Sequence, residues 1–286
     1  MFEFVDCDDV TQPKATPEMS MAFRRDGFIV CRNLFSKAEV DKINVAIERS
    51  EQFWRASYGL ADAKGRVYTQ SGWKEPGTDV LGMVVGNAKT VDVIESLMGK
   101  GEMYMYTGVM VNKKPGTGGT VHWHQDYGYW YHNNVLPDMV SCLVALTVSN
   151  RTNGGMRVIR GSHLAGRLEN WLVGGQNAAD PNRVELLQKR LETVDVDLSA
   201  GDCLMFHCNT LHASGRNTSN QIRWHLIYSY NTKANSPSHR HYGACYGEHE
   251  LSRFDAQALN HCANIDIERR DYKDPRQNPN IRPVEL

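Results

Sequence analysis

Two imidazoles and a carboxylate fall within six residues in Val121-His122-Trp123-His124-Gln125-Asp126. On a strand, residues two apart face the same side, so His124 and Asp126 can both point at one metal ion. A further candidate ligand, His212, closes the segment Gly201-Asp202-Cys203-Leu204-Met205-Phe206-His207-Cys208-Asn209-Thr210-Leu211-His212. A strand pair brings such distant segments together. Two imidazoles and one carboxylate leave coordination positions open, the arrangement of non-haem Fe(II) oxygenases. Ser214 lies two residues beyond His212, and Arg223 eleven beyond. If His212 ends one strand and Arg223 begins the next antiparallel strand, Arg223 points into the same cavity. A buried guanidinium there calls for a bidentate carboxylate. The ordinary alternatives are a chance His-x-Asp pair and an exposed strand arginine. His122 shares the parity of His124 but reads more readily as a neighbour of the site than as a ligand. His207 reads as a packed core residue, and His163 in Gly161-Ser162-His163 as a turn-stabilising one.

The elements that must hold these groups divide the chain. Residues 15–30 read as a short helix running into a strand at Gly27-Phe28-Ile29-Val30-Cys31. Ser36, with Glu39 three positions on, forms a capping box for a helix whose Val40, Ile43 and Ile47 share one face. Residues 89–98 read as another helix. From residue 103 the signal turns to strands: 103–111, an aromatic-rich 121–130, a continuous apolar run at 139–148, then 156–159, 194–198, 202–206 and 222–230. A helical insertion at 182–191 interrupts them, with Val184, Leu187 and Leu191 on one face. Helices first and strands after, without alternating βα units, argue for a mainly β fold with flanking helices, a jelly roll or double-stranded β-helix. No linker divides the chain, so 1–286 reads as a single domain. Within it, a helical N-terminal buttress covers 15–100, the jelly-roll core 101–235 and a tail 236–286. From Asp271 the tail is rich in Pro, Asn and Arg and is expected to wrap the surface or fray.

Composition excludes several classes. With 286 residues, 41% hydrophobic and 23% charged, the chain can bury a core without disulfide or metal. A net charge of −1 offers no basic footprint for nucleic acid. No apolar run is long enough to span a bilayer, and no amphipathic or polybasic anchor is visible. The N-terminus carries no signal-peptide pattern. Cys7, Cys31, Cys142, Cys203, Cys208, Cys245 and Cys262 form an odd set without Cys-x-x-Cys, which fits reduced thiols and a cytoplasmic location.

Taken together, His124-x-Asp126, His212-Ala213-Ser214-Gly215-Arg216-Asn217 and Arg223 resemble the phytanoyl-CoA dioxygenase family of Fe(II)/2-oxoglutarate-dependent oxygenases. Two more segments agree. Phe23-Arg24-Arg25-Asp26-Gly27-Phe28-Ile29-Val30 resembles the family's N-terminal entry, and Gly154-Gly155-Met156-Arg157-Val158-Ile159-Arg160-Gly161-Ser162-His163 its mid-chain strand and turn. Arg160 departs from the proline usual before Gly-Ser-His. The resemblance spans roughly residues 20–235 and implies a double-stranded β-helix. It implies that His124, Asp126 and His212 hold Fe(II), and that Arg223 grips the distal carboxylate of the cosubstrate 2-oxoglutarate with Ser214 assisting. Trp130 would form an aromatic wall beside the cosubstrate. From their own place at the end of the strand before the His-x-Asp strand, Asn112 and Lys113 are expected to reach it. With O2 as the other cosubstrate, the implied reaction hydroxylates a substrate C–H bond and releases succinate and CO2. An intact Asp126 argues for oxygenation, since related halogenases carry a small residue there.

Substrate is a small molecule in this reading. The wording His124-Gln125-Asp126-Tyr127-Gly128-Tyr129-Trp130-Tyr131 resembles the bacterial branch that includes organophosphonate hydroxylases, and differs from the stretch of ectoine hydroxylases. The expected substrate is 2-aminoethylphosphonate or its N-methylated form, with a natural-product or amino-acid-like scaffold as the alternative. Tyr127, Tyr131, Tyr106 and Tyr104 would offer aromatic faces to an ammonium group. Arg157 or Arg160 would pair an anionic head group, and Asp138 or Asn134 a primary amine. Two readings from other classes compete. A cupin-type metal isomerase would start from His122-x-His124, but no Glu follows within 127–131. A non-catalytic binding module would have lost a ligand or the arginine. Oligomeric state is not legible.

Overall fold

The period-two pattern of the long strands decides the architecture. In Phe28–Arg32, Ile29 and Cys31 face one way, Phe28 and Val30 the other. Cys203–His207 divides in the same way into Cys203 and Met205 against Leu204 and Phe206, and Met139–Ala145 into Val140, Cys142 and Val144 against Leu143 and Ala145. These strands are apolar on both faces over most of their length because both faces of their sheet are covered. The first set packs on helices Pro17–Asp26, Lys37–Arg49, Val80–Val85 and Ala88–Met98. The second set meets Met156, Val158, Val196 and Leu198 of the facing sheet.

The computed structural model describes residues 2–3, 14–116, 118–133, 136–237, 249–268, 270–278, 280–284 and 286. Asn134, Cys7 and Cys245 lie outside them. A nine-stranded sheet runs Phe2–Glu3, Phe28–Arg32, Cys203–His207, Met139–Ala145, Arg223–Thr232, Met103–Lys113, Val67–Trp73, Tyr58–Ala61, Pro283–Val284. A four-stranded sheet runs Thr193–Val196, Met156–Ile159, His212–Ser214, Val121–His124. The two face each other as the jelly roll requires, and Asn170–Val173 pairs with Gln176–Ala179 in a separate hairpin. The capping box at Ser36 forms, with Ser36 N–H donating to Glu39 Oε2 at 2.7 Å, and the buried Glu39 carboxylate also receives Lys89 Nζ at 2.9 Å.

Four expectations change. The strand expected over 121–130 stops at His124, and Asp126–Trp130 is a short helix. Residues 15–100 are not only helical, because Tyr58–Ala61 and Val67–Trp73 extend the large sheet. The insertion helix is Pro181–Gln188, shorter than expected. The described part of the tail does more than wrap the surface. Leu259, Cys262 and Ile267 enter the helix-side core. Arg270 donates to Glu75 O and Pro76 O at 2.9 Å each and pairs with Asp79. Tyr272 bridges to Trp73, and Pro283–Val284 pairs with Tyr58–Ala61. Such a path brings Lys273, Asp274, Pro275, Asn278 and Ile281 to the lining of the cavity between the sheets.

Candidate metal centre and cosubstrate pocket

His124 ends its strand directly opposite His212, which begins the neighbouring one. Each ring is oriented by its own backbone. His124 Nδ1–H donates to His122 O at 2.7 Å and His212 Nδ1–H to Thr210 O at 2.9 Å. Those bonds leave both Nε2 lone pairs turned inward. Nε2 of His124 lies 3.8 Å from Asp126 Oδ1, and Nε2 of His212 lies 3.6 Å from the same oxygen. One ligand atom from each residue lies within 4.8 Å of the others, which suits a single ion among them. Burial, helped by the neighbouring His212, pushes His124 down to about 3, and burial pushes His212 down to about 4. Both imidazoles are therefore neutral and ready to ligate at ordinary pH. Burial pushes the Asp126 carboxyl up, against the pull of His124 and Ser141.

Asp126 reaches the site by a route the alternation argument did not contain. Gln125 is fully buried; its amide donates to Gly166 O at 2.7 Å and Asn209 O at 2.8 Å and accepts from Leu168 N–H at 2.7 Å. This pins the chain where it leaves the strand, and Tyr127 N–H donates to Cys208 O at 3.0 Å. Asp126 then opens the helix and aims Oδ1 at the histidines, while Ser141 Oγ donates to Oδ2 at 2.6 Å. Ser141 is in turn bonded to Ser229 Oγ at 2.9 Å. Hydrogen bonds behind metal ligands of this kind fix orientation and tune basicity.

Arg223 begins its strand in the large sheet, on the wall facing the triad, while His212 begins rather than ends a strand of the small sheet. Arg223, His225, Ile227 and Ser229 all line the cavity. The guanidinium is buried, and its Nη1 donates to His225 Nδ1, whose Nε2–H meets Ser149 Oγ at 2.8 Å. Nε and Nη2 have no hydrogen-bond partner although buried. Burial pushes Arg223 down to about 9, which still leaves a cation at neutral pH. A buried cation with two unmet donors is suited to a carboxylate. Lys113, opposite Arg223 in the sheet, donates to Ser214 Oγ at 2.6 Å and to Gly215 O, so it holds Ser214 in place. Burial and the Arg223 charge push the Lys113 ammonium well down.

The cavity has a volume of ≈ 170 Å³ and is lined by His124, Asp126, His212, Ser214, Arg223 and Trp130 among others. Several expected contacts fall elsewhere. Asn112 stands opposite Trp224, on the helix-side face of the sheet, and points away from the cavity. Tyr127 and Tyr106 pack with Tyr104, Trp130, Met139 and Cys208 in a cluster behind the wall. Tyr131 is 45% exposed with the Arg167 guanidinium stacked 4.2 Å from its ring centre. Arg157 lies on the outer face of the small sheet, where it pairs with Asp195 at 3.0 Å, and Arg160 pairs with Glu192 at 3.2 Å. Asp138 pairs with Lys100 at 3.8 Å. His122 accepts from Ala63 N–H at 3.2 Å, outside the cluster. Trp130 lines the cavity as expected, and the other aromatic side chains there are Tyr58, Tyr68, Tyr129 and Phe206. Lys273, Asp274, Asn278 and Ile281 from the C-terminal strap complete the lining.

Facing sheets with a His–Asp–His cluster between them define the class of cupin-like jelly-roll oxygenases. Residues 23–224 match the phytanoyl-CoA dioxygenase family, and the chain belongs to it as a non-haem Fe(II)- and 2-oxoglutarate-dependent dioxygenase. It is 26% identical over 239 residues to the ectoine dioxygenase of Bordetella bronchiseptica, covering 78% of this chain and 77% of that one. It is also 26% identical over 239 residues to the L-proline trans-4-hydroxylase of Streptomyces griseoviridis, covering 78% and 88%. Among solved structures, EctD from S. alaskensis with 2-oxoglutarate and 5-hydroxyectoine superposes with a TM-score of 0.64 at 22% identity, covering 82% of this chain and 81% of that one. Among the described residues, no helix is long and apolar enough to cross a membrane.

Proposed function

We propose that this single-domain enzyme hydroxylates a C–H bond of a small zwitterion, with His124, Asp126 and His212 holding Fe(II) and Arg223 gripping the distal carboxylate of 2-oxoglutarate. The carrying observation is the convergence of two inward Nε2 atoms and Asp126 Oδ1 in one cavity with the unmet Arg223 donors. Fe(II) held by these three residues would supply, with 2-oxoglutarate and O2, the oxidising power for hydroxylation, with succinate and CO2 as the coproducts. The protein's own residues bind, orient and exclude water. His122 O and Thr210 O hold the imidazole tautomers, Ser141 holds the carboxylate, and His225 turns the guanidinium edge into the cavity. Trp130 and Phe206 keep the space apolar.

Tyr58, Tyr129 and Trp130 line the cavity and would give an ammonium group aromatic faces worth about 0.5–2 kcal/mol each, whereas Tyr68 already lies under Lys113 Nζ. Small acids with an amine, namely 2-aminoethylphosphonate, its N-methylated form or an amino-acid-like scaffold, fit that lining. The named substrates of the two relatives, ectoine and proline, are themselves small amino-acid-like molecules. Five buried free thiols among the described residues support a cytoplasmic setting. The test is succinate release over a panel of aminophosphonates, amino acids, ectoine and acyl-CoA esters, with mass detection of a hydroxylated product. Stimulation by an acyl-CoA alone overturns the zwitterion reading.

Ser141→Ala is expected to weaken Fe(II) binding by about tenfold to a hundredfold, because Asp126 Oδ2 loses the Ser141 hydroxyl donor and the carboxylate can rotate. Anaerobic metal titration reads this without any turnover. Wild-type affinity in the variant would show that the helix backbone alone positions Asp126.

A further inference from the structure

The wall formed by Arg223–Thr232 has chemically different ends. Arg223 and Ser229 are both cavity-lining and six residues apart, which separates them by roughly 20 Å along a strand. Around Ser229 the large sheet places Thr107 on one side and Ser141 on the other, and Ser141 holds Asp126. Lys273 of the C-terminal strap lies over this end. Its Nζ donates to Thr107 Oγ1, and both residues line the cavity. Among the lining residues, Arg223 and Lys273 are the two that are lysine or arginine.

The position of Lys273 is built. Its N–H donates to Gly72 O at 2.8 Å, next to the Trp73–Tyr272 bridge. Its stem runs against Gly72, where a Cβ would lie 3.3 Å from Lys273 Cδ. Arg270, tied to Glu75 O, Pro76 O and Asp79, anchors the strap on one side, and Arg282 N–H, donating to Gly175 O at 2.9 Å, on the other. The neighbouring carboxylate, Asp274, faces Arg276 at 2.8 Å.

We propose that Lys273 is an anion anchor for the primary substrate, taking a phosphonate or carboxylate at the end of the cavity opposite Arg223. The assignment rests on the proposed use of Arg223 by the cosubstrate. An ammonium is a point charge with three donors, and it suits a tetrahedral or planar anion. With Arg223 taken by the cosubstrate, Lys273 for the anion and the Tyr58 and Tyr129 rings for the ammonium select small molecules that carry an anion and an amine. The strap thereby becomes the specificity element of the site.

The probe is methylphosphonate, which has the anion and no amine. It is titrated calorimetrically into anaerobic protein loaded with Fe(II) and saturating 2-oxoglutarate. Wild type is expected to bind it, Lys273→Met to bind it about tenfold or more weakly, and Lys273→Arg to retain it. Melting temperature checks the fold of each variant, and Lys273→Gln serves if the Met variant is unstable. Equal binding by wild type and the neutral variants, or no binding by wild type, overturns the proposal. An anion that ligates iron directly gives equal binding and so belongs to the overturning outcomes. If methylphosphonate binding depends on Lys273 while no aminophosphonate or amino acid stimulates succinate release, the anion anchor stands and the substrate reading falls. If they stimulate wild type and the Met variant with equal apparent affinity, the substrate reading stands and the anchor falls.

Discussion

Asp126→Ala is expected to bring 2-oxoglutarate turnover to background while the protein stays folded. Asp126 supplies the one anionic ligand of the three, and its Oδ1 is the atom toward which both Nε2 atoms are directed. Two neutral imidazoles without it hold a divalent ion poorly. The fold does not depend on the side chain. Gln125 pins the turn through three buried hydrogen bonds, and Ser141 keeps its partner Ser229 when the carboxylate goes. Removing a carboxyl that burial already disfavours as an anion also relieves the metal-free protein. Asp126→Asn separates charge from shape, because the amide oxygen still accepts from Ser141. It is expected to lose Fe(II) affinity almost as fully. Succinate release and anaerobic Fe(II) titration read the two effects, and circular dichroism reads the fold. Wild-type turnover in the Ala variant with iron present would remove Asp126 from the metal site.

That His124, Asp126, His212 and Arg223 share one cavity is legible from the His-x-Asp pair, the spacing from His212 to Arg223 and four motif segments in one order. The path by which Asp126 arrives was not. Alternation over 121–130 put it on the strand, whereas the buried amide of Gln125 ends that strand and a helical turn does the aiming. Period two was sound for the long strands and would have found His225, Ile227 and Ser229 from Arg223, since all four share a face. The same rule places Asn112 on the wrong side, opposite Trp224. The aromatic guesses failed for a different reason. Sequence shows that Tyr104, Tyr106, Tyr127 and Tyr131 are dense near the ligands, but density cannot separate a packed cluster from a cavity wall. Tyr58 and Tyr68 come from strands that carried no recognised signal, and Lys273 from a Pro- and Asn-rich stretch without periodicity. Its placement depends on long-range ties, Arg270 to Asp79 and Pro283–Val284 to Tyr58–Ala61, that no local pattern encodes.

Arg223→Ala is expected to raise the 2-oxoglutarate requirement by about a hundredfold or more and to leave Fe(II) affinity near wild type. Losing one partner of a buried, hydrogen-bonded charge pair costs roughly 3–5 kcal/mol. The guanidinium is well prepared for such a pair. His225 fixes one nitrogen by accepting from Nη1, and Nε and Nη2 of this cavity-lining residue are buried without partners. His225 can do this because burial and the adjacent cations push its imidazole well down, leaving it neutral with Nδ1 as acceptor and Nε2–H on Ser149. Lys113 does not replace the lost charge. Its ammonium is held on Ser214 and Gly215 and is itself disfavoured by burial and by the Arg223 charge. Arg223→Lys separates charge from fork. A lysine restores a cation but not the two parallel donors, so it is expected to recover part of the affinity and not all. Calorimetric titration of 2-oxoglutarate into Fe(II)-loaded protein measures both variants. Normal 2-oxoglutarate affinity in Arg223→Ala would move the clamp to Lys113, the buried lysine opposite it in the sheet, and Lys113→Met would then show the loss instead.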